Sequence, residues 1–276
     1  MEKIYKILSI AGSDPSGGAG IQADIKTITA LGGYAATAIT AVTVQNTLGV
    51  KSVFAIPPQV VAEQIDAVME DIEPQAIKIG MVKDVQIVRT IADAIKRHSP
   101  QIVVYDPVMV STSGHRLIDD DVMDIIENKL IPLSTLITPN LNEAEVLLGR
   151  RIEGVAQMDG AAVELSDRYG INVLIKGGHL SNEMMSDVLC CKQNDNINSL
   201  PYRLFHFTAK RVDTRNLHGT GCTLSSAIAT FMAKGCNLQK AIAQAKEYVT
   251  CAIESGCQKS IGHGNGPLWH LVMPGH

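Results

Sequence analysis

Ile7-Leu8-Ser9-Ile10, followed by Gly12-Ser13-Asp14, the amphipathic run Ile21 to Leu31 and the apolar run Ala38 to Val44, decides the fold. A short apolar run, a polar break, apolar positions at helical spacing and a second short apolar run together make the pattern of two parallel strands joined by a crossover helix. The alternation continues outward from there. Further strands are predicted over Ala76-Ile79, Ile102-Tyr105, Leu136-Thr138 and Val173-Ile175, with additional ones at Val50-Ile56 and Val188-Cys191. Helices are predicted over Gln59-Ile72, Val85-Arg97, Asp121-Leu130, Gly160-Tyr169, Thr223-Lys234 and Leu238-Ser255, while Gln193 to Asn198 reads as a polar turn. The expected class is α/β, in three α/β/α layers around a mostly parallel central sheet, with 1-276 forming a single domain.

Composition limits what such a domain does. Of 276 residues, 46% are hydrophobic and 19% charged, enough to build a sizeable core. A net charge of -4 with no basic run interleaved with aromatics argues against nucleic acid as a partner. The opening residues fit neither a signal peptide nor a membrane span, so the expectation is a cytoplasmic protein with no membrane partner. The six cysteines include no Cys-x-x-Cys pair and read as reduced thiols.

All six main apolar runs end in polar clusters: Gly12-Ser13-Asp14, Gln45-Asn46, Gly80-Met81, Asp106-Pro107, Pro139-Asn140 and Lys176-Gly177-Gly178. Ligands of open parallel sheets bind at the carboxyl ends of the strands, so these clusters are expected to converge on one rim. Turns account for the Gly, Asn and Asp, but they have no special use for Gln45, Lys176 or Met81. Standard phosphate motifs are missing, including Gly-x-x-x-x-Gly-Lys-Ser/Thr and the full dinucleotide fingerprint, which disfavours a nicotinamide oxidoreductase.

His218-Gly219-Thr220-Gly221-Cys222-Thr223 precedes a strongly helical run and reads as an anion-binding helix start. Its glycines let backbone approach a ligand, and the open amides and helix dipole favour negative charge. Cys222 stands at that positive end, which would lower its thiol pKa and keep sulfur near a transferred phosphoryl group. A tight connection and a small buried cysteine are the plainer alternatives. Asp106 and Glu143 are hard oxygen ligands suited to Mg²⁺, although Asn140 with Glu143 also matches a capping box, and both readings stay open. Lys176 before Gly177-Gly178 offers a cation and flexible amides for phosphates.

Taken together, Ala11 to Asp24, Thr40 to Thr47, Lys78-Ile79-Gly80-Met81, Asp106-Pro107-Val108-Met109, Thr138 to Leu141, Lys176-Gly177-Gly178-His179, His218 to Thr223 and Gly262 to Pro267 resemble the hydroxymethylpyrimidine and phosphomethylpyrimidine kinases of thiamine biosynthesis, in the ribokinase superfamily. The resemblance implies a ribokinase-like fold and ATP-dependent phosphorylation of a hydroxymethylpyrimidine, then of its monophosphate, in one shared site.

It further implies that Gln45 hydrogen-bonds the pyrimidine edge while Asp24, Gly12, Val42, Met81 and Val108 help line the pocket. Asn140 and Lys176 would serve ATP, Asp106 and Glu143 Mg²⁺, and Gly219, Thr220, Gly221 and Cys222 the anion hole and catalysis. By superfamily analogy Asp213-Thr214 would help bind a monovalent cation, and a homodimer through Val50 to Ile56 is expected. His218 and His179 receive no proton-transfer role. Leu217, Val44 and Trp269-His270 depart from the usual pattern, which touches substrate tuning more than reaction class. Two alternatives stand beside this reading: a pyridoxal or pyridoxine kinase, and a non-catalytic vitamin-precursor sensor on the same scaffold.

Overall fold

The computed structural model describes residues 3–109, 119–178, 184–192 and 201–272. Nine strands form one sheet in the order β3-β2-β1-β4-β5-β6-β7-β8-β9. These are β1 (Lys6–Ser13), β2 (Tyr34–Asn46), β3 (Gly49–Ala55), β4 (Ala76–Ile79), β5 (Val103–Tyr105), β6 (Leu136–Ile137), β7 (Asn172–Ile175), β8 (Met184–Lys192) and β9 (Tyr202–Lys210). Strands β2, β1, β4, β5, β6 and β7 run parallel to their neighbours, and β3, β8 and β9 add antiparallel edges. The helices are α1 (Gly20–Ala30), α2 (Pro58–Asp71), α3 (Val85–His98), α4 (Asp120–Ile125), α5 (Leu141–Leu148), α6 (Val155–Tyr169), α7 (Thr220–Ala233) and α8 (Leu238–Gly256). The expected α/β layering is therefore present, with β9 and α5 as elements the periodicity did not mark. His179 and the expected turn over Gln193 to Asn198 lie outside the described residues.

Period-two alternation explains how the sheet seats a helical layer on each face. Leu8, Ile77, Val103, Ile137 and Val173 pack into the core shared with α2, α3, α5 and α6. Their neighbours Ile7, Ala76, Val104, Leu136 and Leu174 pack the other way, against α1, α7 and α8. On this second face, the residue two places further along each strand is polar: Ser9, Lys78, Asp106, Thr138 and Lys176. The α1/α7 side of the sheet thus changes from apolar to polar toward the carboxyl rim, with Asp106, Thr138 and Lys176 each one residue beyond the end of its strand, and a row of hydrogen-bonding groups lies under that rim. The order also reverses at β1, which has β2 on one side and β4 on the other, so Gly12-Ser13-Asp14 stands at a topological switch point.

Local chemistry sets where the helices start. Asp84 caps α3 by accepting from the Gln86 and Ile87 amides, and Asn237 caps α8 by accepting from the Lys240 amide. Helix α7 is different. Its N-cap is Gly219, in the left-handed region at φ 87°, and no side chain caps it.

Candidate active site

Asp106 leaves the end of β5 almost fully buried, and its Oδ1 accepts from Lys176 Nζ at 2.7 Å and Thr138 Oγ1 at 3.0 Å. Its other oxygen faces the start of α7: a Cβ added at Gly221 would lie 3.2 Å from Oδ2 and 3.4 Å from Lys176 Nζ. Three segments distant in sequence meet here because β5 and β7 flank β6 and α7 crosses above them. Burial disfavours the Lys176 cation, but Asp106 and Glu143 outweigh it and raise its pKa, so the ammonium stays charged.

The capping-box reading of Asn140 and Glu143 holds: Asn140 Oδ1 accepts from the Glu143 amide at 3.0 Å, and Glu143 Oε2 from the Asn140 amide at 2.7 Å. Capping does not remove Glu143 from the site. Burial raises its carboxyl to about 7 against the pull of nearby Lys176, with Asp106 adding to the rise. Asn140 itself pairs with Lys176 through an isolated parallel bridge, which links the cap of α5 to the lysine.

At α7, Thr220 Oγ1 donates to the Leu217 carbonyl at 2.7 Å and Thr223 Oγ1 to that of Gly219 at 2.9 Å. These bonds tighten the turn and leave the helix start without a side-chain cap. The first loop packs against the start of α7, where a Cβ added at Gly219 would meet the Gly18 carbonyl oxygen, and the Gly20 backbone N–H acts to lower the Cys222 thiol. The expected lowering of its thiol pKa is corrected by the structure. Burial pushes it up to about 11, with Asp24 and Asp106 adding to the rise, and Lys78 only partly offsets this.

Gln45 lies half-buried at the end of β2, its amide 3.2 Å from His218 Nε2. His218 in turn sits 2.8 Å from Asp14 Oδ2 and four residues before Cys222, so Gln45 and the sulfur belong to one contiguous region. A Cβ on Gly12 would lie 3.5 Å from Met81 Cε and 3.6 Å from the Ala41 carbonyl, which joins the ends of β1, β2 and β4. Val42 is exposed beside them, and half-buried Val108 turns back to donate its amide to the Asp106 carbonyl at 2.9 Å.

Asp24 departs from expectation. It does not line a pocket, because its side chain is fully buried beneath the site in a 2.8 Å ion pair with the equally buried Lys78. Ser9 and Ser226 also donate to its carboxylate, at 2.5 and 2.7 Å. Burial opposes the Lys78 charge, but Asp24, Cys222 and Asp106 outweigh it and hold the ammonium protonated. Lys78, Ser9, Ser226 and Thr138 were missed as supporting residues. For Ser9, Lys78 and Thr138 the signal was available in the two-residue offset from the apolar positions of each strand, whereas Ser226 lies on helix α7. At the expected monovalent-cation position, Thr214 Oγ1 accepts from the Asn216 amide at 3.1 Å and reaches the Cys257 carbonyl at 3.5 Å. No group of three or more His, Cys, Asp or Glu that could hold a metal occurs among the described residues.

An open α/β sheet with two antiparallel edges, whose rim gathers an uncapped glycine-flanked helix start, a buried Asp-Lys pair and a cysteine, defines a ribokinase-like protein. Phosphomethylpyrimidine kinase is the family description that matches residues 14–269, and the chain belongs to that family. A hydroxymethylpyrimidine/phosphomethylpyrimidine kinase of Rhizobium meliloti is 45% identical over 265 residues, 96% of each chain. A thiamine biosynthesis bifunctional protein, ThiED, of Geobacter sulfurreducens is 42% identical, and the chain spans 52% of its length. Among solved structures, a Clostridium difficile phosphomethylpyrimidine kinase aligns with TM-score 0.77 at 41% identity, over 90% of this chain and 99% of that one. A Bacillus subtilis pyridoxal kinase in complex with ADP aligns with TM-score 0.86 at 35% identity, over 97% and 98%.

Proposed function

We propose that residues 1–276 act as one ATP-dependent kinase domain that phosphorylates 4-amino-5-hydroxymethyl-2-methylpyrimidine and then its monophosphate, giving the diphosphate used in thiamine biosynthesis. One observation carries the reading: Gln45, which has a donor and an acceptor in one plane, is joined through His218 to the open helix start and Cys222, beside the Asp106-Lys176 pair. The uncapped amides of α7 and the Lys176 cation would receive the phosphates. Asp106, with one oxygen turned toward α7, and Glu143 suit a Mg²⁺ ion that takes most of its ligands from phosphate and water. When bound, that ion would neutralise charge on the transferred phosphoryl group.

The residues then divide the work. Gln45 orients the pyrimidine, the glycine turn and Lys176 fix the phosphate, and Cys222 stands next to the hydroxymethyl oxygen. Because the thiol keeps its proton at neutral pH, Cys222 serves first to place that oxygen. Phosphoryl transfer with a loose transition state makes only a weak demand on base strength, so proton removal can come late. The second phosphorylation uses the same groups, with the monophosphate as acceptor.

A pyridoxal or pyridoxine kinase is the second reading, favoured by the close superposition on pyridoxal kinases. Mixing the protein with Mg-ATP, hydroxymethylpyrimidine and pyridoxine and identifying products by mass spectrometry separates the two. Pyrimidine mono- and diphosphate are expected; pyridoxine phosphate as the dominant product overturns the assignment. We assign a homodimer, because every residue of edge strand β3 is exposed, Val50, Val53 and Phe54 among them. A monomer at micromolar concentration in light scattering contradicts this. Six free cysteines fit a reducing, cytoplasmic setting.

A further inference from the structure

We infer that His218 and Asp14 fix which way round the Gln45 amide faces the substrate, with its oxygen toward His218. They thereby select a pyrimidine edge with an amino donor on the His218 side and a bare ring nitrogen on the Thr43 side. The substrate half of this inference rests on the function proposed above.

Proton counting carries the argument. Asp14 is 3% exposed and accepts the amides of Ser16 and Ala19, each at 2.9 Å. Burial acts to raise its carboxyl, but the hydrogen bonds from His218 and these amides outweigh it and hold it at about 2. Asp14 is therefore an ionised, acceptor-only group at neutral pH. Its Oδ2 lies 2.8 Å from His218 Nε2, so that nitrogen must carry a hydrogen. A ring nitrogen that already carries a hydrogen cannot accept one from an amide NH₂. The structure has Gln45 Nε2 3.2 Å from the same nitrogen; exchanging the two ends of the amide removes this donor-donor contact and turns the oxygen toward His218, where it shares the Nε2 hydrogen with Asp14.

The far end of the amide gives the same answer independently. Thr43 Oγ1 stands 3.0 Å from the Ser13 carbonyl and 3.2 Å from the amide atom placed as Gln45 Oε1, with one hydrogen to give and two acceptors to serve unless the amide ends are exchanged. The carbonyl can only accept, so Thr43 donates there and accepts from Gln45, which turns the NH₂ toward Thr43. With these bonds made, Gln45 keeps one oxygen lone pair and, beside it, one N–H for a ligand. An aminopyrimidine complements that pair with its amino hydrogen and adjacent ring nitrogen. The corresponding 4-oxo compound reverses donor and acceptor, leaving two groups unpaired, which costs far more than a lost methylene.

Two measurements on the full chain test the inference. Nitrogen-15 NMR of His218 without substrate should show Nε2 protonated at neutral pH; a proton on Nδ1 alone overturns the amide orientation, whatever the enzyme phosphorylates. In kinetics, the wild type should favour the amino compound over its 4-oxo analogue, the latter read as an inhibition constant, by at least about tenfold. His218→Leu should raise KM for the pyrimidine and bring that preference toward parity with KM for ATP unchanged, while His218→Gln, which returns an N–H donor, should restore it. An unchanged preference in His218→Leu, or equal losses toward pyrimidine and ATP, overturns the positioning role. A wild type that phosphorylates no pyrimidine defeats the proposed function and the substrate half of the inference with it.

Discussion

Gly219 and Gly221 stand two residues apart and are required for different reasons. Gly219 adopts φ +87°, and a Cβ there would lie 1.8 Å from the Gly18 carbonyl oxygen. Gly219→Ala should therefore destabilise the fold by about 1–3 kcal/mol in urea denaturation. Gly221 is helical, so alanine suits its backbone, but the new methyl would press on Asp106 and Lys176. Gly221→Ala is expected to keep stability within about 1 kcal/mol and to lower kcat by about 10²-fold. Cys222→Ala should likewise lower kcat by about 10²-fold or more, with the Kd for ATP by calorimetry nearly unchanged. Unaltered turnover would remove Cys222 from the mechanism. At this scale Gln45 and Lys176 were legible as types that turns do not need, Asp106 as a hard oxygen ligand at a strand end, and Cys222 as a thiol at an anion-binding helix start. The thiol's raised pKa was not, because it depends on burial and on Lys78, Asp24 and Asp106, which local sequence around Cys222 does not contain.

Helices α1 and α7 meet strands β1 and β4 over the Asp24-Lys78 pair, which Ser9 and Ser226 complete. Both side chains are fully buried, so removing either partner strands a charge. Lys78→Met is expected to cost about 3–5 kcal/mol, and adding Asp24→Leu should recover part of that loss in a double-mutant cycle. Additive losses would show that the two charges do not interact. The last described segment ties in at the same level: His270 Nε2 lies 3.0 Å from Thr223 Oγ1 on α7 and is buried enough to lower its pKa from 6.5 to about 4. The unfolded chain then binds this proton before the folded one does. Stability from the neutral imidazole is complete above pH 6.5 and is lost as pH falls toward 4, by an amount of order 3 kcal/mol. Urea midpoints should fall over that window in the wild type and much less in His270→Leu; parallel falls would contradict the assignment. The parallel strands were legible because β1 and β4 to β7 are buried on both faces and read as apolar runs, while β2 carries an apolar run although one face is partly exposed. Strand β9 was not, since only alternate residues such as Phe205 and Phe207 are partly buried and the segment reads as polar. Helix α5 spans only eight residues, too short for a periodic signal, though its capping box was recognised.

Across the whole molecule, the sheet carries two cores on its faces and a polar row under one rim, and the closing segment completes that rim. The Asn265 amide donates to the Thr47 carbonyl at 2.9 Å, and the His218 amide donates to the Gly266 carbonyl at 3.1 Å. The β2–β3 turn that follows Gln45 is in this way stitched to the loop that precedes Cys222 through a closing segment 217 residues beyond the turn. Short runs could predict that the strand ends converge, but not that residues 262 to 267 clamp one of them to the start of α7. Specificity constants for hydroxymethylpyrimidine and pyridoxine with Mg-ATP, in the wild type and in Gln45→Leu, test the single shared site most directly. The account predicts a clear preference for the pyrimidine that collapses in Gln45→Leu, with pyridoxine turnover little changed. A wild-type preference for pyridoxine, or a Gln45→Leu variant that handles the pyrimidine as well as the wild type, would contradict it.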